Sequence, residues 1–313
     1  KMSNYIIVNK KISSFNKKIT VSGDKSLSIR WVLFSSLSSG VSKAHNLLMS
    51  EDVLAALDAI KKFGIKVSLK KNICKIFGKG IDGYRYKKNI VINSKNSGTL
   101  GRLILGLIIN SPYKIKIIGD NSLSKRDFTR VAIPLRKFGA DIKLNNNKNL
   151  PAIIKGSNTL KPILYKENKG SAQCKSSVIF GGMRTTGKTF IKAKKSRNHT
   201  ELLSKYLGLP INVKIKKNYD LIEVNKVKRI KPLNYKIPSD ISSSAFFMVL
   251  ASLSDNSNLT IQNVNINPTR TGIIKILKKM GIKIIFKNKK IYKGEKVGDI
   301  QITSPKKIKP INC

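Results

Sequence analysis

The stretch AIKKFGI at residues 59–65 ends an apolar pattern with a glycine, and it recurs three times. The other copies are PLRKFGA at 134–140, SKYLGL at 204–209 and ILKKMGI at 276–282. Their glycines, at positions 64, 139, 208 and 281, are 75, 69 and 73 residues apart. Self-similarity at a nearly fixed period is the mark of a structural repeat. We therefore predict four copies of one unit.

Each stretch closes an amphipathic helix. In residues 50–63, apolar side chains recur at helical spacing, and Gly64 stands where a left-handed C-terminal cap belongs. Polar residues open these outer helices, namely Ser50, Asp127, Asn198, Thr200 and Thr269. β-branched or alternating stretches lie before and after them, at 114–118, 189–192, 259–264, 65–69 and 282–286.

A second helix, apolar almost all round, precedes the first of these strands in each copy. The four segments are residues 27–37, 100–109, 174–180 and 244–253. Each unit then reads βαβαββ. Such a unit cannot cover its own sheet, so we expect three units to pack their apolar inner helices together. The fourth inner helix then lacks partners.

The net charge of +46 results from 62 Lys and Arg against 16 Asp and Glu. It predicts attraction to polyanions, anionic membranes or small phosphorylated substrates. Because the excess runs along the whole chain, general compositional drift explains the total better than a nucleic-acid-binding arm does. The positions of individual cations must therefore decide which anion is bound.

The cysteines and histidines limit the chemistry. Cys74, Cys174 and Cys313 are odd in number and widely separated, which argues against a disulfide framework or a CxxC metal site and fits a reducing cytoplasm. His45 and His199 are too few for a histidine metal cage or a Ser-His-Asp triad. No apolar run approaches the roughly 20 residues of a membrane-spanning helix. We expect a cytoplasmic protein without a metal or organic cofactor.

Three inner helices begin with small polar residues and a nearby cation. The stretch SGDKSLSIR at 22–30 places Lys25 just outside the helix, Ser26 at the expected N-cap and Arg30 on the same face as Ser26. Backbone N–H groups, the positive end of the helix dipole and a flanking cation together form an anion site. The first inner helix therefore predicts such a site.

The next two inner helices repeat this arrangement. The stretch NSGTLGR at 96–102 carries Arg102, and GSAQCKSS at 170–177 carries Ser171, Gln173 and Lys175. We expect the three sites to face one cleft. The fourth copy, PSDISSSAFF at 238–247, has Asp240 and no cation, so its role is expected to differ.

The same residues resemble a known family. Eight stretches resemble the successive signatures of EPSP synthases, namely SGDKSLSIR, SEDVLAAL, NSGTLGR, GDNSLSKRDFTRVAIPLRKFGA, SAQCKS, SRNHTE, SDISSSAFF and NPTRTG. The resemblance implies an α/β (α+β) protein with the two-lobed enolpyruvyl transferase fold, three βαβαββ units per lobe and an active site between the lobes. It also implies transfer of the enolpyruvyl (carboxyvinyl) group of phosphoenolpyruvate to the 5-hydroxyl of shikimate 3-phosphate, with release of phosphate, in the shikimate pathway of aromatic amino acid biosynthesis.

The resemblance assigns roles residue by residue. The phosphoenolpyruvate clamp would be Lys25, Arg102 and Arg126, with Asn96 and Gly98 in the loop beside it. Shikimate 3-phosphate would be held by Ser26, Arg30, Ser171, Gln173 and Ser196, whereas Ala172 stands where some relatives have a second serine. Lys175 and Asp240 match family positions near the site, and Arg197, His199 and Glu201 are expected to shape it. Lys25 is the one catalytic candidate, because the family Asp and Glu are expected in a C-terminal stretch beyond residue 313.

The repeat count also predicts the domain organisation. Residues 23–237 would form a complete three-repeat lobe, and residues 1–22 with 238–313 a partial second lobe about two repeats short. We therefore expect this polypeptide to be inactive alone, and a full-length form to be a monomer. The helix at 244–253 should leave one face uncovered and promote aggregation.

Two alternatives stay open. The sister enzyme that transfers enolpyruvyl to a UDP-sugar shares the fold, but typically has Asn after the first Lys and a cysteine in a second-repeat loop. This chain has Ser26 and no Cys between positions 74 and 174. The other alternative is a basic nucleic-acid-binding protein, whose affinity would fall steeply with salt.

Overall fold

The structure, a computed structural model, describes residues 7, 9, 12–70 and 72–311. Helices and strands are interspersed along these residues. In chain order the elements are β1 (Asn16–Ile19), α1 (Lys25–Ser36), β2 (Ser39–His45), α2 (Glu51–Lys62), β3 (Lys66–Lys70), β4 (Ile73–Lys79), β5 (Val91–Asn93), α3 (Gly98–Leu107), β6 (Ile115–Ile118), α4 (Asn121–Ser124), α5 (Thr129–Lys137), β7 (Asp141–Asn145), β8 (Asn149–Lys155), β9 (Leu164–Glu167), α6 (Ala172–Gly182), β10 (Thr189–Lys194), α7 (His199–Tyr206), β11 (Ile211–Ile215), β12 (Tyr219–Val224), β13 (Tyr235–Lys236), α8 (Ile241–Leu253), β14 (Asn258–Asn265), α9 (Gly272–Lys279), β15 (Lys283–Tyr292) and β16 (Glu295–Thr303).

The described strands form sheets that repeat one design. The strand orders are β13-β2-β4-β3, β5-β6-β8-β7, β9-β10-β12-β11 and β1-β14-β16-β15. In each sheet the first strand runs parallel to the second, and the second is antiparallel to the third. The predicted α/β class and the repeated βαβαββ unit are therefore confirmed. Two first strands come from elsewhere in the chain, since β13 completes the first sheet and β1 completes the fourth.

The chain divides into two compact units. The first, here called the three-repeat unit, comprises Ser22–Pro238 and Ile291–Glu295. The second, here called the one-repeat unit, comprises Lys1–Val21, Ser239–Lys290 and Lys296–Cys313. The former holds the first three sheets, and the fourth sheet belongs to the latter except for the tip formed by the ends of β15 and β16.

Inner helices α1, α3 and α6 form the centre of the three-repeat unit. Leu27, Leu103 and Val178, one from each helix, are fully buried. The backbones of α3 and α6 approach so closely that a Cβ on Gly106 would lie 2.1 Å from the carbonyl oxygen of Ser177. Only glycine fits there. The prediction that the apolar helices pack against one another is therefore confirmed.

The helix ends follow local sequence in most places. The repeated glycines close their helices with left-handed φ angles, which are 78° at Gly64, 111° at Gly139, 68° at Gly208 and 89° at Gly281. The prediction of Ser26 as an N-cap is wrong. The Asp24 carboxylate accepts a hydrogen bond from the Leu27 amide at 2.9 Å, so the helix begins at Lys25.

Two outer helices also begin later than the sequence predicts. Helix α5 starts at Thr129, and Asp127 caps its first amide from outside at 2.8 Å. Helix α9 starts at Gly272, after Thr271 and not after Thr269. In the described part of the chain, no helix is long and apolar enough to cross a membrane.

Candidate anion-binding site

The N-terminus of α3 brings two arginines together. Ser97 caps this helix by accepting a hydrogen bond from the Leu100 amide at 3.2 Å. Gly98 is its first residue, and a Cβ there would lie 2.7 Å from Nη1 of Arg102 and 3.3 Å from Nη1 of Arg126. The two guanidinium groups therefore converge on the one position of the helix start that has no side chain.

Neutral oxygen atoms hold Arg102. Its Nη1 donates to Oε1 of Gln173 at 2.8 Å, and its Nη2 donates to the carbonyl oxygen of Asp127 at 3.1 Å. The guanidinium also lies over the ring of Phe128, 4.7 Å from its centroid. Gln173 in turn donates to Oγ1 of Thr99 at 3.0 Å, so α6 and α3 fix the group jointly.

Arg126 is likewise held by an amide. Its Nη2 donates to Oδ1 of Asn96 at 2.9 Å, and Asn96 donates to Asp120 at 2.8 Å. Among the residues that the structure describes, neither Arg102 nor Arg126 forms an ion pair with a carboxylate. We call Asn96, Gly98, Arg102, Arg126 and Gln173 the Arg102 cluster.

The positive charges of Arg102 and Arg126 repel each other. Burial lowers the pKa of Arg102 first, and the neighbouring Arg126 and Arg130 lower it further. An anion bound between the guanidinium groups would offset both effects, because it replaces repulsion with attraction in a partly desolvated place. The arrangement is therefore suited to a phosphate or carboxylate.

The first inner helix presents its two cations differently. Lys25 pairs with Asp52 of α2 at 3.3 Å on the surface. Arg30 is buried, and it donates to Oγ1 of Thr200 at 2.7 Å, to the carbonyl oxygen of Ser26 at 3.0 Å and to Oγ of Ser176 at 3.1 Å. Burial lowers the pKa of Arg30 to about 10, so the group stays charged at neutral pH. It places a positive charge inside the unit.

The third inner helix corrects one expectation. Lys175 does not flank the helix start as a cation for a ligand, because its side chain is fully buried and its Nζ lies 2.7 Å from Oε1 of Glu201. A buried ammonium needs an opposite charge, and α7 supplies it. Ser171 caps the helix by accepting from the Cys174 amide at 3.3 Å, and Ala172 is the first helical residue.

Ser196 lies just before α7, and its hydroxyl is buried. Among the described residues, nothing forms a hydrogen bond with this group. Of the predicted site residues, hydrogen bonds join Arg102 to Gly98 and Gln173, and Arg126 to Asn96. The two groups meet at Gly98. Lys25 pairs with Asp52, and Arg30 bonds Ser26, Thr200 and Ser176. The direct roles of all eleven residues stay predictions.

Sequence reasoning missed three partners of these residues. Phe128 lies under Arg102, Asp52 pairs with Lys25, and Thr200 holds Arg30. Asp52 and Thr200 stand inside the quoted stretches SEDVLAAL and SRNHTE, but their partners are 27 and 170 residues away along the chain. Only the fold reveals these contacts.

The one-repeat unit starts its inner helix with the opposite charge. Asp240 accepts a hydrogen bond from the Ser242 amide at 2.7 Å and pairs with Arg270 at 3.2 Å. Arg270 also donates to Oγ of Ser242 at 2.8 Å. Over the described ranges, no group of three or more His, Cys, Asp and Glu residues could hold a metal ion.

The family model of EPSP synthase (3-phosphoshikimate 1-carboxyvinyltransferase) matches residues 9–313. The chain belongs to the EPSP synthase family. A 3-phosphoshikimate 1-carboxyvinyltransferase of Streptococcus agalactiae serotype III (strain NEM316) is 40% identical over 268 residues, which are 85% of this chain and 62% of that protein. The same-named protein of Caldicellulosiruptor bescii is 39% identical over 287 residues, or 91% of this chain and 66% of that protein.

A solved structure of this family has the same fold. The EPSP synthase of Acinetobacter baumannii superposes with a TM-score of 0.86 at 35% identity, over 96% of this chain and 67% of that one. The chain thus spans about two thirds or less of the length of the curated family members it matches, such as 62% of the Streptococcus protein.

Proposed function

We propose that this chain provides substrate-binding parts of an enzyme that transfers the enolpyruvyl group of phosphoenolpyruvate to the 5-hydroxyl of shikimate 3-phosphate and releases phosphate. In this proposal the three-repeat unit is one lobe of the two-lobed fold, and the one-repeat unit belongs to the second lobe. The chemistry is part of aromatic amino acid biosynthesis. A reducing cytoplasm fits the free thiols of Cys74 and Cys174.

The observation that carries the proposal is the convergence of Arg102 and Arg126 on Gly98 without a carboxylate partner in the described structure. Surface arginines are normally solvated or paired. Here one guanidinium is half-buried, oriented by Gln173 and Asp127, and placed near a second cation at the positive end of a helix. Such a site attracts a small, multiply charged anion.

The proposed roles follow from these contacts. Arg102 and Arg126 would bind phosphoenolpyruvate across Gly98, whose missing side chain leaves room for the ligand. Ser171, Gln173 and Ser196 would hold shikimate 3-phosphate, and the buried hydroxyl of Ser196 has its hydrogen-bonding capacity available. Arg30 would add a positive charge from the interior of the three-repeat unit. Several cations are needed because the two ligands repel each other.

The reaction would be an addition followed by an elimination. The 5-hydroxyl attacks C2 of phosphoenolpyruvate while C3 takes a proton, and phosphate then leaves as the C3 proton is given up. The three-repeat unit contributes positioning and charge stabilisation, which together lower a barrier by holding reacting atoms in place. Proton transfer needs a positioned acid or base, and Lys25 is our candidate in this unit.

Calorimetric titration of the purified chain tests the proposal. Shikimate 3-phosphate and phosphoenolpyruvate should bind, and Arg102→Gln should weaken phosphoenolpyruvate by tenfold or more, since charge-assisted bidentate bonds are the strong ones. Arg136→Gln is the matched control, because the exposed Arg136 donates to the Ile142 carbonyl and to no other residue that the structure describes.

A parallel titration with duplex DNA separates the nucleic-acid alternative. DNA affinity should fall by orders of magnitude between low and physiological salt. Tight DNA binding that Arg102→Gln and Arg136→Gln weaken equally, with no binding of either phosphorylated substrate, would refute the proposed function. Tighter binding of a UDP-sugar than of shikimate 3-phosphate would instead favour the sister activity.

A further inference from the structure

A cavity lies at the C-terminal end of α3, away from the Arg102 cluster. It has a volume of about 380 Å³ and is lined by the loops at residues 81–86 and 110–113, by the end of α3 and by Arg184. The ten residues of α3 span about 15 Å, so this cavity is well separated from the helix start. No residue of the proposed substrate site lines it.

Arg184 supplies the charge of this cavity. Its side chain is only 5% exposed, and it follows α6 directly. Its Nη1 donates to the carbonyl oxygen of Ile81 and to the carboxylate of Asp82, the latter at 3.0 Å. Its Nε and Nη2 form no hydrogen bond with any residue that the structure describes. These two atoms form one edge of the guanidinium, the edge that pairs with both oxygens of a carboxylate.

Aromatic rings supply much of the remaining wall. Tyr86 and Tyr113 have centroids 6.0 Å apart and are nearly perpendicular. Tyr84 stacks on Phe63 at 4.6 Å. The hydroxyls of Tyr84 and Tyr86 are already bonded to Ser36 and Ser111, which fixes the two rings. An edge-to-face arrangement of this kind accepts a further ring.

A purely structural role does not account for Arg184. Holding the loop at residues 81–82 uses Nη1 alone. Burial lowers the pKa of Arg184, because keeping the buried guanidinium charged costs desolvation free energy. Asp82, its one carboxylate partner in the described part of the chain, is 79% exposed and is therefore well solvated. Nε and Nη2 are not among the fully buried unpaired atoms, so this edge of the guanidinium remains accessible where Arg184 lines the cavity.

The lining also sets the charge of the ligand. Arg85, the other arginine at the cavity, turns its Nη1 to the carbonyl oxygens of Asp82 and Tyr84. Leu107, Ile108 and Pro112 add apolar surface. Arg85 is exposed to solvent, whereas the Arg184 side chain is largely buried among rings and aliphatic groups. The lining therefore matches a small anion with a flat apolar body.

We propose that this cavity binds a small aromatic carboxylate. The carboxylate pairs with the Nε and Nη2 edge of Arg184, and the ring packs against the pair formed by Tyr86 and Tyr113. This site is distinct from the Arg102 cluster and does not depend on the proposed function.

Fluorine NMR with 4-fluorophenylacetate tests the assignment. Titration of the full chain should broaden and shift the fluorine signal in a saturable manner. The neutral isostere 4-fluorophenethyl alcohol should bind at least tenfold more weakly, because it lacks the charge that Arg184 meets. Shikimate 3-phosphate should not displace the acid. Displacement would place the acid at the Arg102 cluster and overturn the proposal.

Two variants probe the two halves of the site. Arg184→Gln should weaken 4-fluorophenylacetate at least tenfold, and its matched control Arg136→Gln should not. Tyr113→Ala, at the rim of the cavity, should weaken it severalfold. Its control is Tyr219→Ala. Lys88 lies over the Tyr113 ring at 5.9 Å and Lys192 over the Tyr219 ring at 4.4 Å, but Tyr219 lies outside the cavity.

If the acid does not bind at millimolar concentration, or if a folded Arg184→Gln binds it as the unaltered chain does, the proposal is wrong. Should Arg184→Gln fail to fold by near-ultraviolet circular dichroism, the Tyr113 pair decides alone. Equal loss in Tyr113→Ala and Tyr219→Ala would identify non-specific attraction to a basic surface, and no loss in either would place the acid elsewhere, so both results reject the site.

Discussion

Helices α3 and α8 occupy the same place in two copies of one repeat, yet their environments differ. In α3 the apolar side chains are all buried, because α1 and α6 lie beside it in the three-repeat unit. In α8 five of thirteen residues are buried, including Met248 and Ala251 against the sheet. Phe246 is 79% exposed and Leu253 66% exposed. The prediction of an uncovered face on this helix is confirmed.

The difference shows that an apolar helix is not buried by its own sequence. Both helices have the composition of a core element, and each covers one sheet of its own repeat. What α8 lacks in the described structure is a neighbouring inner helix on the side of Phe246. Burial of the remaining faces therefore depends on other repeats, as expected for repeat architectures in which each unit cannot bury its hydrophobic face alone.

Amide hydrogen exchange should show the largest contrast. Backbone protection in α3 is expected to exceed that in α8 by about a thousandfold, which corresponds to about 4 kcal/mol in the free energy of opening. The reason is that α8 opens without disturbing helix neighbours. Mass-spectrometric exchange on peptides covering the two helices measures this directly. Equal protection would mean that α8 is covered in solution and that the two helices do not differ in burial.

A matched pair of leucine substitutions should give the next largest effect. Leu103→Ala removes a fully buried side chain of α3 and should cost about 2–5 kcal/mol of unfolding free energy. Leu253→Ala removes a mostly exposed one of α8 and should change it by about 0.5 kcal/mol or less.

Urea denaturation measures both substitutions. The single Trp31 lies in α1 and reports the three-repeat unit by fluorescence, while circular dichroism follows both units. A loss at Leu253 as large as that at Leu103 would show that the two helices are packed alike.

Two glycines that begin helices, Gly98 in α3 and Gly272 in α9, allow a third matched pair of substitutions. Gly98→Ala adds a Cβ within 2.7 Å of the Arg102 guanidinium, whereas a Cβ on Gly272, the first residue of α9, meets nothing within 4 Å. Because the end of the arginine side chain can move, Gly98→Ala should leave stability nearly unchanged but displace the cation. We expect phosphoenolpyruvate affinity to fall about tenfold, or by about 1.4 kcal/mol.

Gly272→Ala should leave this affinity unaltered, and calorimetry of both variants tests the pair. An unchanged affinity in Gly98→Ala would remove the Arg102 cluster from the proposed site. A large fall in stability of that variant would instead show that the guanidinium cannot move aside.

Local patterns were enough to predict the repeat. The four helix-closing glycines, the inner helices and most strands follow from periodicity, because a left-handed cap and an apolar stripe are encoded within a few residues. Errors arose where two caps compete. Asp24 accepts from the Leu27 amide and displaces Ser26 as the cap, since either side chain can reach a free amide of the first turn.

The site was less predictable than the fold. Arg102 and Gln173 were named from their helix starts, and the structure joins them at 2.8 Å. Lys175 looked equivalent in sequence but lies in the core beside Glu201, because the direction of a side chain within the first turn depends on how the helix packs. Arg184 and the loops at residues 81–86 and 110–113 lie outside every stretch that the sequence singled out, and only the fold brings them together at the end of α3.

Self-association should give the smallest contrast. Exposed apolar patches promote contact between copies, and the α8 face presents five exposed large apolar side chains, namely Phe246, Phe247, Val249, Leu250 and Leu253. Phe246→Ser should therefore lower the weight-average mass of a concentrated sample. Association should weaken severalfold without being lost, because Phe247, Val249 and Leu250 remain partly exposed. Light scattering after size-exclusion chromatography measures the change.

Phe190→Ser is the matched control for Phe246→Ser. Phe190 is 43% exposed on β10 and lies in an apolar groove of the three-repeat unit, lined also by Leu164 and Leu221. That groove is flanked by Lys166, Lys192 and Lys214, whose mutual repulsion between copies opposes association. The α8 face carries no lysine between Ile241 and Leu253. If Phe190→Ser reduces association as much as Phe246→Ser, the sheet groove promotes self-association as strongly as the α8 face does. Exposure of α8 would then not explain the self-association of the chain.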